Sequence, residues 1–254
     1  MSFSNYGELC TEVYDLTKKV GQSFSGDIEY YAERLKATKG RILEAMVGSG
    51  RVIIPLLEAG LKVDGIDYSS EMLASCQKRL DEKGYAAKLF QGELQNLQLP
   101  QKYDAIIIPG GSFLLIEKRE ESIAALKQMY ENLENGGRLI LDIFLPTDHF
   151  EAGKVLRTLT VECPNGDIIT MEDKLVEVNF FEQYKVSYLK YEKWRKGNLI
   201  QTELQRFAIR WYSIHELKLI MKSIGFKQVN VCADFQYGNE PAHASQSFVF
   251  EATK

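Results

Sequence analysis

The sequence has few of the residues that build metal sites and disulfide networks. It contains three histidines, and its four cysteines, Cys10, Cys76, Cys163 and Cys232, lie far apart without a C-x-x-C pair. This spacing indicates neither a structural zinc site nor a set of disulfides. We therefore expect ordinary thiols and no bound metal.

Long apolar runs and an excess of positive charge are also absent. No apolar run approaches the roughly 20 residues that cross a bilayer, and the first five residues include neither a basic region nor an apolar stretch. The 31 lysines and arginines are outnumbered by 35 acidic residues, whereas nucleic-acid binding proteins cluster positive charge. We expect a cytoplasmic protein that acts on a small molecule, with no nucleic-acid or membrane partner.

The composition is that of a folded globular protein. Hydrophobic residues make up 45% of the chain and charged residues 26%, both within the usual ranges. A length of 254 residues fits one large α/β domain or one domain with an insertion.

Short apolar runs alternate with helical stretches in the first half of the chain, which is typical of βαβ units. The predicted strands are residues 41–46, 61–67, 87–91, 103–108 and 138–143, and the predicted helices between them are residues 51–59, 70–83 and 118–133. A further helix at 213–223 and strands at 227–233 and 247–252 complete the sheet. The first forty residues are predicted to be mostly helical.

The helical pattern is interrupted between residues 150 and 210. Asn165-Gly166 is the preferred pair for a type I′ hairpin turn, and a second break follows at Lys196-Gly197, so we expect three or four antiparallel strands. The predicted fold is a doubly wound α/β, Rossmann-like sheet of seven mostly parallel strands with an antiparallel insertion after the fifth. Residues 1–149 and 211–254 would form one domain, and residues 150–210 a lid that contacts substrate or a second subunit.

A glycine-containing turn follows the first predicted strand. The segment Glu44-Ala45-Met46-Val47-Gly48-Ser49-Gly50 ends that strand and leads into a helix. Glycines allow a ligand to approach the backbone closely, and N–H groups at a helix start can donate to it. A tight strand-to-helix turn without a ligand is the alternative.

Polar residues also mark the ends of the next three strands. Asp67 lies 17 residues after Gly50, at the end of the second strand, where an acid can accept both hydroxyls of a ribose. Gly92-Glu93-Leu94 follows the third strand, and Pro109-Gly110-Gly111 follows the fourth. Because open α/β sheets bind ligands at the carboxyl ends of their strands, these segments predict one nucleotide-type site.

Together these segments resemble the class I S-adenosylmethionine-dependent methyltransferases, particularly small-molecule enzymes with an antiparallel lid. The family's first motif, commonly E-L-G-C-G-T-G, corresponds to residues 44–50, and its second, commonly V-D-x-S-x-E-M-L, corresponds to residues 66–73. The resemblance extends through Gly136-Gly137. Met46 replaces the family's first glycine, where its side chain either borders the methionine moiety or packs beneath the loop.

The resemblance implies S-adenosylmethionine as the cofactor and direct displacement as the reaction. It implies that Asp67 binds the ribose and that Glu93 and Leu94 meet the adenine.

The methionine part of the cofactor would lie at the first and fourth strand ends. The resemblance implies contact of its amino group with the backbone at Ala45 and Pro109, an indirect role for Glu44, and contact of Tyr14 with its carboxylate. The full set of implied cofactor-binding residues is Tyr14, Tyr30, Glu44, Ala45, Met46, Gly48, Ser49, Gly50, Asp67, Tyr68, Met72, Gly92, Glu93, Leu94 and Pro109.

The methyl acceptor is a small molecule with a reacting nitrogen or oxygen, and the sequence leaves its identity open. A neutral amine needs no catalytic base, whereas a hydroxyl acceptor would benefit from one, for which His149 and His243 are the candidates. Nine aromatic residues lie between positions 180 and 212. Tyr184 and Trp211 are candidates for an aromatic wall around a cationic or planar acceptor. The alternative is that these rings pack the insertion against the domain or form a homodimer.

Two other functions are compatible with parts of the pattern. A nicotinamide-dependent dehydrogenase would need the fingerprint G-x-G-x-x-G, but Ile53 occupies the position of its third glycine. A protein that binds S-adenosylmethionine without catalysis is the other alternative.

Overall fold

The computed structural model describes residues 3, 6–147 and 150–254, so the candidate His149 lies outside the described residues. In chain order the elements are α1 (Glu8–Thr17), α2 (Asp27–Leu35), β1 (Ile42–Ala45), α3 (Ile53–Glu58), β2 (Val63–Asp67), α4 (Ser70–Lys83), β3 (Leu89–Gln91), β4 (Tyr103–Ile108), α5 (Arg119–Asn132), β5 (Leu133–Phe144), β6 (Val155–Glu162), β7 (Ile168–Asn179), β8 (Tyr184–Arg195), β9 (Asn198–Arg210), α6 (Ile214–Ile224), β10 (Lys227–Ala233) and β11 (Ser247–Thr253). Short 3-10 helices at Leu94–Asn96 and Ser112–Leu115 follow β3 and β4.

Seven strands form one mixed sheet in the order β10-β11-β5-β4-β1-β2-β3. The pairs β1–β2, β1–β4, β2–β3 and β4–β5 are parallel, whereas β11 runs antiparallel to both β5 and β10. Strands β2 and β3 extend the sheet to one side of β1 and strand β4 begins the other side, so the strand order reverses at β1. The predicted α/β fold with seven mostly parallel strands is therefore confirmed.

Two hydrophobic clusters cover the two faces of this sheet. On β4, Ile106 and Ile108 pack into one cluster with α5 and α6, while Ala105 and Ile107 pack into the other with α2, α3 and α4. Alternate side chains point to opposite faces, so a strand buried on both faces becomes a continuous apolar run. This burial explains why the central strands were recognisable in the sequence. No helix in the described part of the chain is both long and apolar enough to cross a membrane.

The insertion forms its own antiparallel sheet in the order β6-β7-β8-β9. Helix α1 covers one face of it, where Leu9 and Val13 pack with Ile169 and Tyr191. The first helix of the chain therefore belongs to the core of the insertion.

Local signals in the sequence set several element boundaries. The Ser69 hydroxyl caps α4 by accepting from the Met72 N–H at 3.1 Å, and Ser213 and Glu216 form a capping box at the start of α6. The predicted hairpin turn at Asn165-Gly166 is confirmed, since it joins the antiparallel strands β6 and β7. Its predicted type I′ is wrong, because Gly166 has a positive φ and Asn165 does not. Lys196 and Gly197 both have positive φ, as a type I′ turn requires, and they join β8 to β9.

Candidate active site

The loop after β1 is held against the end of β2. The Gly48 N–H donates to Asp67 Oδ2 at 2.8 Å, and Asp67 Oδ1 accepts from the Ser69 N–H at 2.9 Å. Burial raises the pKa of Asp67, while its backbone hydrogen bonds act in the opposite direction. Since a carboxylate has about four lone-pair sites, Asp67 keeps acceptor capacity for a ligand.

The same loop contains Met46, Gly48 and Gly50 with positive φ values of 59°, 54° and 92°. A Cβ at Gly48 would meet no atom within 4 Å, whereas one at Gly50 would lie 3.0 Å from Cys76 Sγ. Gly50 thus allows the loop to pack on α4, and Gly48 borders open space. The Met46 side chain is half-buried, packs on a core cluster and also borders the cavity described below.

Glu44, on β1, is a buried acid with an unpartnered oxygen. It is 2% exposed, and its Oε2 has no hydrogen-bond partner among the described residues. Burial raises the pKa of Glu44 well above its ordinary value, although nearby Arg51 acts in the opposite direction. A buried acceptor without a partner is costly, so a donor that reached this oxygen would be bound favourably.

Arg51 provides positive charge at the same end of the sheet. It forms an ion pair of 2.6 Å with Asp27, donates to the Gln22 carbonyl at 2.9 Å and lies 4.4 Å from the ring centroid of Phe24. Tyr14 lies beside it: burial raises the pKa of Tyr14, and Arg51 partly opposes this.

The loop after β4 is fixed by Asp142, at the end of β5. The N–H groups of Gly110 and Gly111 donate to its two carboxylate oxygens at 2.9 and 2.6 Å, and the Tyr31 hydroxyl donates at 2.6 Å. Burial raises the pKa of Asp142 to about 6, although these hydrogen bonds lower it.

These loops surround a cavity of about 490 Å³ at the carboxyl ends of the parallel strands. Eleven of the predicted cofactor residues line it: Tyr14, Glu44, Met46, Gly48, Asp67, Tyr68, Met72, Gly92, Glu93, Leu94 and Pro109. Phe207 and Ile209 of β9 also line it, so both the parallel sheet and the insertion contribute to one cavity.

Four other residues predicted from the resemblance do not line the cavity. The ring of Tyr30 packs edge-on against Tyr31 and Phe235, and its hydroxyl lies 3.1 Å from Cys232 Sγ. Ala45 is fully buried in the core. Ser49 is also fully buried and accepts from Arg79, and Gly50 packs on α4 as described above.

The candidates for contact with the acceptor also lie away from the cavity. The Tyr184 hydroxyl donates to Glu177 Oε1 at 2.6 Å, and Trp211 packs edge-on against Phe150 and Phe180. His243 lies in the loop before β11, where its backbone N–H donates to Gln246. The alternative interpretation of Tyr184 and Trp211, packing within the insertion, agrees with these contacts.

Sequence reasoning missed several residues that line the cavity, among them Tyr6, Lys18, Phe24, Arg51, Phe144 and Phe207. Arg51 follows Gly50 directly, so its position next to the first motif was a usable signal. Phe207 carried no local signal, because its position depends on how the two sheets pack.

The chemistry of the cavity fits a cationic nucleoside such as S-adenosylmethionine. Five acidic and two basic residues line it: Glu44, Asp67, Glu93, Glu117 and Glu121, against Lys18 and Arg51. The unpartnered Glu44 oxygen and the open space at Gly48 would accommodate polar groups of a ligand. Among the described residues, no group of three or more His, Cys, Asp and Glu side chains could hold a metal ion.

Comparison with known proteins finds similarity to methyltransferases. Residues 42–137 match the family model described as a methyltransferase domain. The chain is 25% identical over 239 residues to the cypemycin N-terminal methyltransferase of a Streptomyces species, covering 94% of this chain and 92% of that protein. It is 26% identical over 216 residues to the putative methyltransferase YqeM of Bacillus subtilis, covering 85% of each chain.

A solved structure shows the same fold along nearly the whole chain. The sugar N-methyltransferase KedS8 from a Streptoalloteichus species superposes with a TM-score of 0.73 at 19% identity, covering 98% of this chain and 96% of that one. With the matched motifs, these similarities support a class I S-adenosylmethionine-dependent methyltransferase.

Proposed function

We propose that the cavity at the strand ends binds S-adenosylmethionine and that the enzyme methylates a nitrogen or oxygen atom of a small molecule. The observation that carries this proposal is the shared cavity, which is lined both by the loops after β1 to β4 and by Phe207 and Ile209 of the insertion. One space can therefore bring a cofactor and an acceptor together. The names of the relatives favour nitrogen, since one acts on the N-terminus of cypemycin and another on the nitrogen of a sugar.

The chain's own residues bind and orient the reactants. Asp67 would accept hydrogen bonds from the ribose hydroxyls, Glu44 would accept from the amino group, and Arg51 would attract the carboxylate. Glu93 and Leu94 would contact the adenine ring. When bound, S-adenosylmethionine supplies a methyl group activated by a positively charged sulfur.

Transfer is a direct displacement. The acceptor nitrogen or oxygen would attack the methyl carbon, and the carbon–sulfur bond would break with its electron pair remaining on sulfur. One proton would be released to water overall, either from a hydroxyl acceptor as it reacts or from an ammonium acceptor before its nitrogen attacks. Holding the reacting atoms in line can contribute about 7–11 kcal/mol without any covalent step on the protein. An amine acceptor suits this site, because its acidic lining attracts a cation before the nitrogen loses its proton.

The proposal is tested in two steps with purified protein. Calorimetry with S-adenosylmethionine measures cofactor binding. Release of S-adenosylhomocysteine is then followed against a panel of small amines, amino sugars, phenols and carboxylates. Binding followed by turnover of a panel member supports the proposal, whereas binding without turnover of any member favours the non-catalytic alternative. A protein that does not bind S-adenosylmethionine contradicts the proposal.

A further inference from the structure

A second cavity, of about 400 Å³, adjoins the first. The two cavities share Tyr6, Leu115, Glu117 and Phe207 as lining residues. A molecule whose reacting atom lies beside Phe207 in the first cavity could therefore extend into the second. We call this second cavity the side chamber.

Gln205 lines the side chamber and has an unpartnered polar atom. It lies on β9 two residues before Phe207 and four before Ile209, so these three side chains point to the same face of the strand. Arg206 and Ala208, from the other face, also line the side chamber. Gln205 is 1% exposed, and its Oε1 has no hydrogen-bond partner among the described residues. Such an atom loses its hydration without a replacement hydrogen bond, and it calls for an explanation in a native protein.

The charged side chains that line the side chamber are already paired with each other. Arg206 forms a bidentate pair with Glu117, with Nη2 2.7 Å from Oε1, and the Glu117 carbonyl accepts from Arg210 Nε at 2.7 Å. Pairing neutralises these charges and fixes Glu117 at the boundary between the cavities. Among the described residues that line the chamber, the buried side-chain atom without a hydrogen-bond partner is the Gln205 carbonyl oxygen, which can only accept a hydrogen bond.

We propose that the methyl acceptor is a hydroxylated amine and that Gln205 selects it. The amine nitrogen reacts in the first cavity, where the acidic lining attracts it, and a hydroxyl group of the same molecule donates to Gln205 Oε1 in the side chamber. This inference rests on the proposed methyltransferase function and adds a substrate class and a specificity residue to it. An amine without hydroxyl groups would leave the Gln205 oxygen buried and unpaired, and would be bound less tightly for that reason.

The test compares two ring amines that differ in hydroxyl groups, glucosamine and cyclohexylamine. Wild-type enzyme should favour glucosamine in kcat/KM by about tenfold, the size expected for one hydrogen bond to a buried acceptor. Gln205→Met keeps the length of the side chain but removes the carbonyl oxygen. It should reduce that preference to within about threefold while leaving the dissociation constant for S-adenosylmethionine unchanged.

The stability of the variant separates a specificity role from a structural one. Removing a buried, unpaired acceptor should leave the Tm of the cofactor-free protein unchanged or raised. Gln201→Met is the matched control, since Gln201 lies on the same strand and donates to Glu8 at the surface. The control should keep the wild-type preference for glucosamine.

Three results would overturn the inference: a lowered Tm for Gln205→Met, an undiminished preference for glucosamine in that variant, or a wild-type enzyme that binds S-adenosylmethionine but neither binds nor methylates glucosamine. The last of these would leave the proposed function intact. Failure to bind S-adenosylmethionine would instead contradict the proposed function itself.

Discussion

At the scale of single residues, Asp67 has two tasks. Its carboxylate accepts backbone N–H groups from Gly48 and Ser69, which ties the glycine loop to the end of β2. Its remaining lone pairs border the cavity, where we propose that it binds the ribose. The loop and the ribose contact therefore depend on one side chain.

Asp67→Ala should weaken binding of S-adenosylhomocysteine by at least about tenfold, because hydrogen bonds to a charged acceptor contribute roughly 1.5–3 kcal/mol. Calorimetry measures the affinity. Asp81→Ala is the control, since Asp81 is an exposed residue on α4 that accepts from Gln77. An unchanged dissociation constant for Asp67→Ala would contradict the ribose assignment.

Asp142 should make cofactor binding depend on pH. Its pKa of about 6 means that its carboxylate becomes protonated between pH 7.5 and pH 5, which weakens its hydrogen bonds from Gly110 and Gly111. We expect affinity for S-adenosylhomocysteine to fall by about fivefold across this range, the equivalent of roughly 1 kcal/mol. Asp142→Asn should remove this step, and calorimetry at both pH values checks it. The same step in the variant would assign the pH effect to other groups, among which Glu44 and Asp67 also have raised pKa values.

The same group affects stability in a direction fixed by its pKa shift. The pKa of an aspartate is about 3.9 in an unfolded chain, and burial raises that of Asp142 to about 6, so the folded protein holds the proton more tightly. Its contribution to the free energy of unfolding is fully present below about pH 4 and is lost as the pH rises through about 6.

At the scale of elements, the insertion contributes to the cavities through the C-terminal half of β9. Gln205, Phe207 and Ile209 lie there, paired with residues near the start of β8. The turn at Lys196-Gly197 lies at the opposite end of these two strands. We therefore expect the acceptor to be recognised by β9 itself, while the hairpin tips contribute to folding.

Phe207→Ala should lower kcat/KM for the acceptor by about tenfold, because the ring lines both cavities and its loss leaves the reacting molecule poorly positioned. The dissociation constant for S-adenosylmethionine should change by less than about threefold, since the proposed polar contacts to the cofactor come from the parallel sheet and its loops and not from β9. Leu199→Ala is the control, a 45% exposed position on the same strand. Equal losses of cofactor affinity and turnover would contradict a role for Phe207 in acceptor binding.

At the scale of the whole molecule, the sequence predicted what depends on local pattern. The buried runs of β1, β2 and β4 are local, and the structure confirms the strands predicted there. The cap at Ser69 and the capping box at Ser213 are local signals of the same kind. Contacts between distant segments were not predictable in this way. The hydrogen bond of Tyr31 to Asp142 joins residues 111 positions apart, and Phe207 reaches the cavity only because the two sheets pack together.

Two residues that the resemblance assigned to the cofactor site have a structural role that the sequence did not reveal. Gly50 belongs to the first motif, yet it packs against Cys76, and Tyr30 packs between aromatic neighbours.

The homodimer stays a prediction. Phe181, at the turn between β7 and β8, is 91% exposed, and the mass of the protein in solution would test whether this surface is covered.

Helix α1 connects the two sheets. On one side, the Leu9 N–H donates to Glu203 of β9 at 2.9 Å, and Lys193 of β8 forms an ion pair with Glu12 at 2.7 Å. On the other side, Asp15 accepts from Ser75 of α4 at 2.5 Å and pairs with Arg79, which also donates to Ser49 of the glycine loop. Binding of a cofactor at that loop should therefore stabilise the insertion through α1.

Leu9→Ala tests this coupling. Leu9 is fully buried between α1 and the insertion and lines neither cavity, so its truncation removes packing, at a cost of about 2–5 kcal/mol, without touching a ligand. In the wild-type protein, S-adenosylhomocysteine should slow hydrogen exchange in α4 and also in β8 and β9. In Leu9→Ala the protection of α4 should remain, while that of β8 and β9 should be largely lost, because the helix no longer docks firmly on the insertion. Leu219→Ala, at a 68% exposed position on α6, should keep both effects. If β8 and β9 stay protected by the ligand in Leu9→Ala, direct contacts such as that of Phe207 stabilise the insertion, and α1 is not the connection.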